Sequence, residues 1–253
     1  MIRHVKFFAP ALPALLTLLT LCGCSFNREE LAPADIPLDT LENSMAEATD
    51  PHGRYREAKT FVLKQEVETK RTFGSPLVQM IETKIMRPGC FKITTYDDNQ
   101  PQLAIISNGE SSWVADYKAK KVKKLEDEEL RQVKKLSEIS SPGSKLSEVF
   151  ENVSVHDCRI GDDRFYKIVC PGDQGSVLNA YVGADSRQIE RITLVKNGKV
   201  VYDSSLKGYG LYEGVRIPEE TLVRAGGVEK VFKVIYCKLN TPLEHSEFRP
   251  PVF

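Results

Sequence analysis

The sequence predicts a mainly β fold with a few short helices (an α+β arrangement), in which one long antiparallel sheet must curl or close. Three observations lead to this prediction. From residue 58 onward, apolar residues recur with period two over many short runs. Short turns rich in Gly, Asn, Asp and Pro separate these runs and favour antiparallel neighbours. A helical spacing of apolar residues occurs only near the start and in the middle, so the helices can cover one face of the sheet.

The first part of the chain has the pattern of an export signal. A charged segment, residues 1–6, precedes an apolar run, residues 7–21, which contains two prolines and is shorter than the roughly 20 apolar residues needed to span a bilayer. The run ends in Leu21-Cys22-Gly23-Cys24, which resembles the lipobox of bacterial lipoproteins. We therefore expect removal of residues 1–23 and acylation of Cys24, with chains such as palmitate holding the protein on a membrane. The alternative is an ordinary signal peptide that is cut nearby and leaves Cys24 free.

The residues after Cys24 predict where the protein is held and what it does not bind. Ser25, rather than Asp, follows the cysteine, which resembles lipoproteins sorted to the outer membrane with their domain facing the periplasm. Residues 24–37 are polar and contain prolines, which predicts a flexible tether before a domain at 38–253. Without residues 1–23 the chain keeps 33 of its 35 basic and all 35 acidic side chains, a formal charge of −2. This balance argues against a nucleic-acid partner.

The elements of the domain follow in order. Apolar residues at helical spacing predict a short amphipathic helix over 38–48, which the segment Asp50-Pro51-His52-Gly53 ends. A second helical region spans 126–150, where a stripe of apolar residues among charges precedes Ser141-Pro142-Gly143. The stripe comprises Leu130, Val133, Leu136 and Ile139. The strand-like runs are 61–67, 77–86, 91–96, 103–107, 112–117 and 122–125, then 153–159, 164–170, 176–182, 189–195, 199–206, 211–217, 219–224 and 229–238. Because some runs are pieces of one strand, we expect eleven to fourteen strands, enough to make the sheet curl.

Four cysteines remain besides Cys24, and an exported compartment permits disulfides. They are Cys90, Cys158, Cys170 and Cys237. Four cysteines allow three pairings, of which Cys158–Cys170 is favoured because the two residues flank a predicted hairpin. The alternative is that all four are small buried hydrophobic residues.

The sequence lacks the common signatures of catalysis, including His-Glu-x-x-His, Gly-x-Ser-x-Gly and the phosphate loop. We therefore expect no enzymatic activity, no cofactor and no metal site. A lysine-rich segment, residues 118–124, is followed at once by the acidic segment 126–129. We interpret these lysines as a guarded strand edge. The alternative, contact with anionic lipid or an acidic partner, is weakened because the adjacent acids reduce the local field.

Four short segments together resemble the lipoprotein-localisation (Lol) superfamily of periplasmic lipoprotein carriers, outer-membrane acceptors and related lipid-binding lipoproteins. They are Arg87-Pro88-Gly89-Cys90-Phe91-Lys92-Ile93, Ser107-Asn108-Gly109-Glu110-Ser111-Ser112-Trp113, Tyr212-Glu213-Gly214-Val215-Arg216-Ile217-Pro218, and Leu239-Asn240-Thr241-Pro242-Leu243 with Phe248. The resemblance implies an unclosed barrel of about eleven strands with a helical lid. It also implies that Arg87 holds the lid shut and that Phe91 lines the acyl-chain cavity; the alternative for Arg87 is an exposed arginine in a turn. Trp113 matches the family's strand tryptophan after the Asn-Gly turn, as a ligand contact or, the interpretation we favour, as an anchor in the core.

We therefore expect a monomeric outer-membrane lipoprotein that binds acyl chains of lipoproteins or of other envelope lipids and takes part in their transport across the periplasm. One alternative is a regulator or protein-binding module of the same fold that transports nothing. Another is a hydrolase whose site carries no familiar motif. Transport predicts an apolar cavity, whereas a protein-binding module predicts a packed interior and an enzyme predicts clustered polar groups with shifted pKa values.

Overall fold

The structure is a computed structural model that describes residues 29–71, 73–126, 139 and 142–253. Within these residues, fourteen strands form one sheet in which every neighbouring pair is antiparallel. The strands are β1 (Glu29–Pro33), β2 (Thr60–Thr69), β3 (Leu77–Met86), β4 (Cys90–Asp97), β5 (Gln100–Asn108), β6 (Ser112–Asp116), β7 (Lys121–Lys124), β8 (Ser154–Ile160), β9 (Asp163–Pro171), β10 (Ser176–Gly183), β11 (Ile189–Lys196), β12 (Lys199–Tyr212), β13 (Val215–Ala225) and β14 (Val228–Leu239).

The sheet has the order β1-β8-β9-β10-β11-β12-β13-β14-β2-β3-β4-β5-β6-β7. Strands β1 and β7 are therefore its two edges within the described residues, and the barrel is not closed there. This confirms the predicted mainly β, open-barrel fold. A sheet of this width curls because each strand is twisted relative to its neighbour.

In the part of the chain that the structure describes, three short α-helices with defined bounds accompany the sheet: α1 (Leu38–Thr49), α2 (Arg54–Glu57) and α3 (Leu146–Val149). Helix α1 confirms the predicted amphipathic helix, and it buries Leu41 and Met45. It ends before Pro51, because the residue preceding a proline is disfavoured in helical geometry. Of the predicted stripe in the second helical region, Leu130, Val133 and Leu136 lie outside the described residues.

Two predicted turns show why the strands alternate in direction. Asn197 and Gly198 both have positive φ, 52° and 73°, which fits the two-residue hairpin turn expected between β11 and β12. Asp98 and Asn99 form an equivalent two-residue turn between β4 and β5, with φ of 46° and 61°. One predicted strand was wrong: the run 211–217 contains a turn at Glu213-Gly214, and its two halves belong to β12 and β13.

The predicted tether also needs correction. Glu29–Pro33, inside the range 24–37, forms strand β1 and pairs with β8 from Glu29 opposite Ile160 to Pro33 opposite His156. This edge strand is mostly exposed, so it lacks the apolar alternation that marks a half-buried strand. It brings the number of strands in the described residues to fourteen, the upper end of the eleven to fourteen expected from the pattern and more than the eleven or so that the resemblance implies.

The favoured disulfide was wrong, because all four described cysteines are free and buried. Cys158 lies opposite Phe165 in the β8–β9 ladder. Cys170 is five residues farther along β9, a separation of about 17 Å at the usual rise of a strand. A disulfide needs Cα atoms within about 7 Å. The alternative stated from the sequence, small buried hydrophobic residues, describes these side chains.

We expect the thiols to be unreactive in the folded protein and the protein to be insensitive to reductant. Burial raises the pKa of the Cys237 thiol to about 12, and burial raises the pKa of Cys90 and Cys158 as well, so the nucleophilic thiolate is scarce. Mass spectrometry after alkylation should show little labelling of these cysteines in buffer and full labelling in guanidinium without prior reduction. Labelling in guanidinium that requires a reductant would contradict this prediction.

Candidate functional site

One face rich in apolar residues runs across most of the sheet, and we call it the lid face because the helices pack on it. The ladder places Phe61 of β2 opposite Ile85 of β3, which is in turn opposite Phe91 of β4. In the other direction the register leads through β14 and β13 to Ala180 of β10. Helix α2 packs on this face at Phe61, and α1 packs on it at Ala180. We call the opposite side of the sheet the outer face.

The middle of the lid face carries a set of half-buried apolar side chains, the apolar stripe. Its members are Leu63, Ile81, Ile93, Ile105, Ile192, Leu206, Val223 and Phe232. Ile93 and Ile105 lie directly opposite each other, whereas most other members are separated by uncharged polar residues of the same face, including Thr83, Ser204 and Thr221. The apolar members of the stripe offer hydrophobic contact to an apolar ligand.

The turn that follows β3 brings Arg87 to one end of this face. Gly89 adopts φ +77°, and a Cβ atom there would lie 3.2 Å from the Gly109 Cα, so the Arg87-Pro88-Gly89 turn packs tightly against the turn after β5. The Arg87–Pro88 peptide bond is cis. Strand directions alternate, so the turn at Glu213-Gly214 and residue Glu29 lie at this same end of the sheet. We call it the latch end and the opposite one the far end.

Arg87 holds helix α2 through three backbone carbonyl groups. Its Nη1 donates hydrogen bonds to the carbonyl oxygens of Tyr55, Arg56 and Ala58 at 2.6, 2.9 and 2.9 Å. These carbonyls are at the C-terminal end of α2, where partial negative charge favours a cation. The guanidinium carbon also lies 4.5 Å from the centre of the Tyr55 ring, within range of a cation–π contact.

Tyr55 connects this hydrogen-bonded group to the lid face. The buried Tyr55 ring meets Phe61 edge to face, with centroids 5.1 Å apart. Val215, Ile217 and Cys237 complete the cluster beneath it. Arg87 therefore ties the turn after β3 to a helix whose only buried side chain plugs one end of the lid face.

The other two residues suggested by resemblance lie on opposite faces of the sheet. Phe91 is buried on the lid face, four residues after Arg87, opposite Ile85 and Ser107. Ser107 is opposite Ser112, so the next residue, Trp113, points to the outer face, where it packs beside Ile106 and Ala115. Trp113 thus does not line the same space as Phe91. Cys24 lies outside the described residues.

Helices α1 and α3 fill the other half of the lid face. Leu41, Met45, Leu146 and Phe150 pack against Ile168 and other apolar residues of β9 and β10. The buried carboxylate of Glu42 joins the two helices, since it accepts hydrogen bonds from the Ser147 backbone N–H at 2.9 Å and from the Ser147 hydroxyl. The lid face is therefore packed over β9 and β10 and half-buried over the apolar stripe.

The described residues contain no group of three or more His, Cys, Asp or Glu side chains that could hold a metal ion. No helix in that part of the chain has the length and apolar character needed to cross a membrane. A shallow, open groove of about 510 Å³ lies over β1, residues 34–36 and β8, and it is lined mainly by Leu31, Pro33, Ile36 and Val155.

Sequence reasoning missed several residues that matter at these sites. Helix α2 has four residues, too few to show a periodicity, so Tyr55 gave no signal. Glu42 resembled the exposed charges of an amphipathic helix.

Strand β1 is held at the sheet edge by a partly buried ion pair. The Glu29 carboxylate accepts hydrogen bonds from Lys167 Nζ and from the Tyr181 hydroxyl, both at 2.5 Å. Lys167 also lies 5.2 Å from the Tyr181 ring centre. Burial acts to raise the pKa of Glu29, but the two hydrogen bonds and the nearby positive charges lower it overall.

This lowered pKa predicts an acid-sensitive edge. An acid whose pKa is lower in the folded state adds stability that is complete above its unfolded pKa, about 4.5, and is lost as pH falls through the folded value. We expect Glu29→Gln to lower the urea midpoint at pH 6 and to lower it much less at pH 3. Glu30→Gln, at the neighbouring exposed position, is the control. Equal losses for Glu29→Gln at both pH values would contradict the prediction.

Comparisons with solved structures identify the architecture. A LolA-superfamily protein from Nitrosomonas europaea matches with a TM-score of 0.59 and 12% identity, over 85% of this chain and 98% of that one. A DUF1329-family protein from Desulfovibrio piger matches with a TM-score of 0.59 and 11% identity, over 84% and 97%. A putative outer-membrane lipoprotein-sorting protein domain from Vibrio parahaemolyticus matches with a TM-score of 0.54 and 13% identity, over 82% and 97%.

No protein-family model matches the sequence, and no curated protein matches it. At 11–13% identity the structural matches show the fold alone. The chain therefore has the LolA-like open-barrel fold: one curved antiparallel sheet with short helices on its lid face.

Proposed function

We propose that this protein binds acyl chains on its lid face and takes part in lipid or lipoprotein transport in the bacterial envelope, without catalysing a reaction. The observation that carries the proposal is the apolar stripe, which runs beside a four-residue helix held by the hydrogen bonds of Arg87 and by one buried side chain, Tyr55. A lid fastened by so few side chains can open without unfolding the sheet.

The energetics of the stripe fit an acyl ligand. Each methylene group moved from water to an apolar surface contributes about 0.8 kcal/mol, so a long chain binds well without any specific polar contact. The stripe offers Ile, Leu, Val and Phe side chains from β2, β3, β4, β5, β11, β12, β13 and β14. The similarity in fold to a lipoprotein-sorting domain supports the same assignment.

We further propose that the protein is a monomer held on the outer membrane, facing the periplasm, by acyl chains on Cys24. The support is the lipobox-like segment Leu21-Cys22-Gly23-Cys24 followed by Ser25. Several acyl chains on one residue bind a membrane stably, whereas one chain binds only transiently. Radiolabelled palmitate should enter the wild type and not Cys24→Ala.

One observation favours a second candidate, a regulator or protein-binding module of the same fold. Leu41, Met45 and Leu146 fill the lid face over β9 and β10, and the depressions at the described surface are shallow and open. A protein whose interior is packed would act through its surface. This candidate predicts a protein partner and no bound lipid.

Lipid extraction and mass spectrometry would separate the two candidates. The chain from Ser25 onward would be purified without detergent and compared with Phe232→Glu, which places a charge in the apolar stripe. Ile235→Glu is the matched control, since Ile235 is on the same strand but 51% exposed and unpaired at a bulge. We expect bound acyl lipid in the wild type and in Ile235→Glu, with at least about a tenfold loss in Phe232→Glu because burying a charge costs several kcal/mol.

Reproducibly empty wild-type protein would overturn acyl binding and favour the protein-binding candidate. Equal lipid in both variants would place the lipid elsewhere on the molecule. Circular dichroism and the thermal midpoint of each variant would show that both are folded at the temperature of the experiment.

A further inference from the structure

The N-terminal edge of the sheet fixes where the chain enters the domain. Strand β1 runs from Glu29 at the latch end toward Pro33, so the chain enters the sheet at the latch end. Five consecutive residue pairs with β8 hold this strand in register. The ion pair of Glu29 with Lys167 and its hydrogen bond from Tyr181 fix the entry point against β9 and β10.

The distance from this point to the lipid anchor is limited by chain length. Only five residue steps separate Cys24 from Glu29. A fully extended chain covers at most about 3.6 Å per residue, so the Cα atoms of Cys24 and Glu29 are within about 18 Å of each other whatever path the chain takes. By comparison, the nine residues of β9 extend about 30 Å from the latch end toward the far end.

We propose that the domain stands on its own bilayer with the latch end facing the lipid and the far end facing away. The inference rests on the proposed acylation of Cys24 and adds to it an orientation and a contact surface. The surface that meets the lipid includes the β8–β9 turn around Asp162, the exposed side chains of Arg54 and Arg56 on α2, and Arg87 itself.

In this orientation the contact between Arg87 and helix α2 lies at the membrane surface. Helix α2 and the Tyr55 ring then separate the apolar stripe from the bilayer. Release of α2 would join the stripe to the lipid surface, while the far end remains available to a partner from the aqueous side. An acyl chain would pass between the protein and its own membrane at the latch end.

Tether length, rather than charge, sets the orientation. The latch end carries exposed Arg54, Arg56 and Arg159, but Glu57, Asp162 and other acids are exposed beside them. Mixed charges of this kind give little net attraction to anionic lipid, and salt screens what remains. The orientation is therefore expected to persist at high ionic strength.

The test uses the full acylated protein on vesicles whose headgroups carry a nitroxide quencher. Asp162→Cys and Asp173→Cys are matched variants, because each replaces an exposed Asp with Cys, and the two sites flank β9 at the latch end and the far end. The native cysteines of the domain are buried, so a maleimide dye labels the introduced thiol. The two sites are about 30 Å apart along β9, and we expect quenching at residue 162 to exceed quenching at residue 173 by about twofold or more, with or without added salt.

A variant with a lengthened tether tests whether the length of the tether sets the orientation. Insertion of about 30 Gly and Ser residues after Ser25 adds a mean reach of about 30 Å, which should abolish the difference between the two labels. Equal or reversed quenching in the acylated, vesicle-bound protein would overturn the orientation while leaving acyl binding intact. Protein that is not acylated and stays off the vesicles would overturn the anchor and the orientation together.

Discussion

Replacement of Arg87 by alanine is expected to lower the free energy of unfolding by about 2 kcal/mol and to free helix α2 from the sheet. Hydrogen bonds to a charged group contribute about 1.5–3 kcal/mol, and alanine leaves the carbonyls of Tyr55, Arg56 and Ala58 without this donor. If α2 opens locally, amide exchange of the peptide covering 54–58 should be about thirtyfold faster, since every 1.4 kcal/mol is a factor of ten.

Hydrogen exchange followed by mass spectrometry would measure this change, with Arg56→Ala as the control. Arg56 lies on the same helix, and its side chain is exposed. Arg87→Lys should give an intermediate result, because an ammonium group keeps the charge but not the planar geometry of the guanidinium group. If Arg87→Ala and Arg56→Ala exchange alike, Arg87 does not hold α2. Faster exchange of acyl chains in Arg87→Ala would connect the latch to ligand release.

The period-two alternation was enough to predict the sheet, because most strands bury one face and expose the other. Strand β1 was not predicted, and the reason is physical. The Glu29 carboxylate accepts hydrogen bonds from Lys167 and Tyr181, residues more than a hundred positions away, and the strand is not held by apolar burial. A strand held by long-range polar contacts leaves no local pattern in the sequence.

The candidate site was predictable only in part. Arg87 and Phe91 were identified by resemblance, and their contacts required the register between strands. The register also shows that Trp113 lies on the outer face. Phe91, Ser107 and Ser112 share one side of the sheet, so the residue after Ser112 must face the other side. No spacing along the chain contains this information, because it depends on how β4, β5 and β6 are paired. Helix α2 could not be detected in the sequence, because a helix of a single turn is too short to show a repeating spacing of apolar residues.

Replacement of Phe91 by alanine is expected to give the largest loss of stability, about 3–5 kcal/mol, with a fall in Tm on the order of 10 °C. Phe91 is buried, with 6% of its surface exposed, and removal of a buried aromatic ring costs both hydrophobic contact and a cavity. For a chain of this size, 1 kcal/mol corresponds to about 2–4 °C in Tm. Calorimetry of Phe91→Ala and of Phe91→Leu, which keeps most of the volume, would measure the difference.

The conservative variant separates the structural role of Phe91 from a role in ligand binding. Phe91→Leu should lose less than about 1.5 kcal/mol, because swaps that nearly conserve volume are well tolerated, and it should remain folded at room temperature. Phe91 shares the lid face with Ile93 of the apolar stripe, so we expect the affinity for acyl lipid to change in this stable variant. Trp113→Leu alters an aromatic side chain on the outer face and should leave acyl binding as it is. If both variants bind acyl lipid as the wild type does, Phe91 is a core residue outside the binding surface, and the ligand lies farther along the stripe toward β11 and β14.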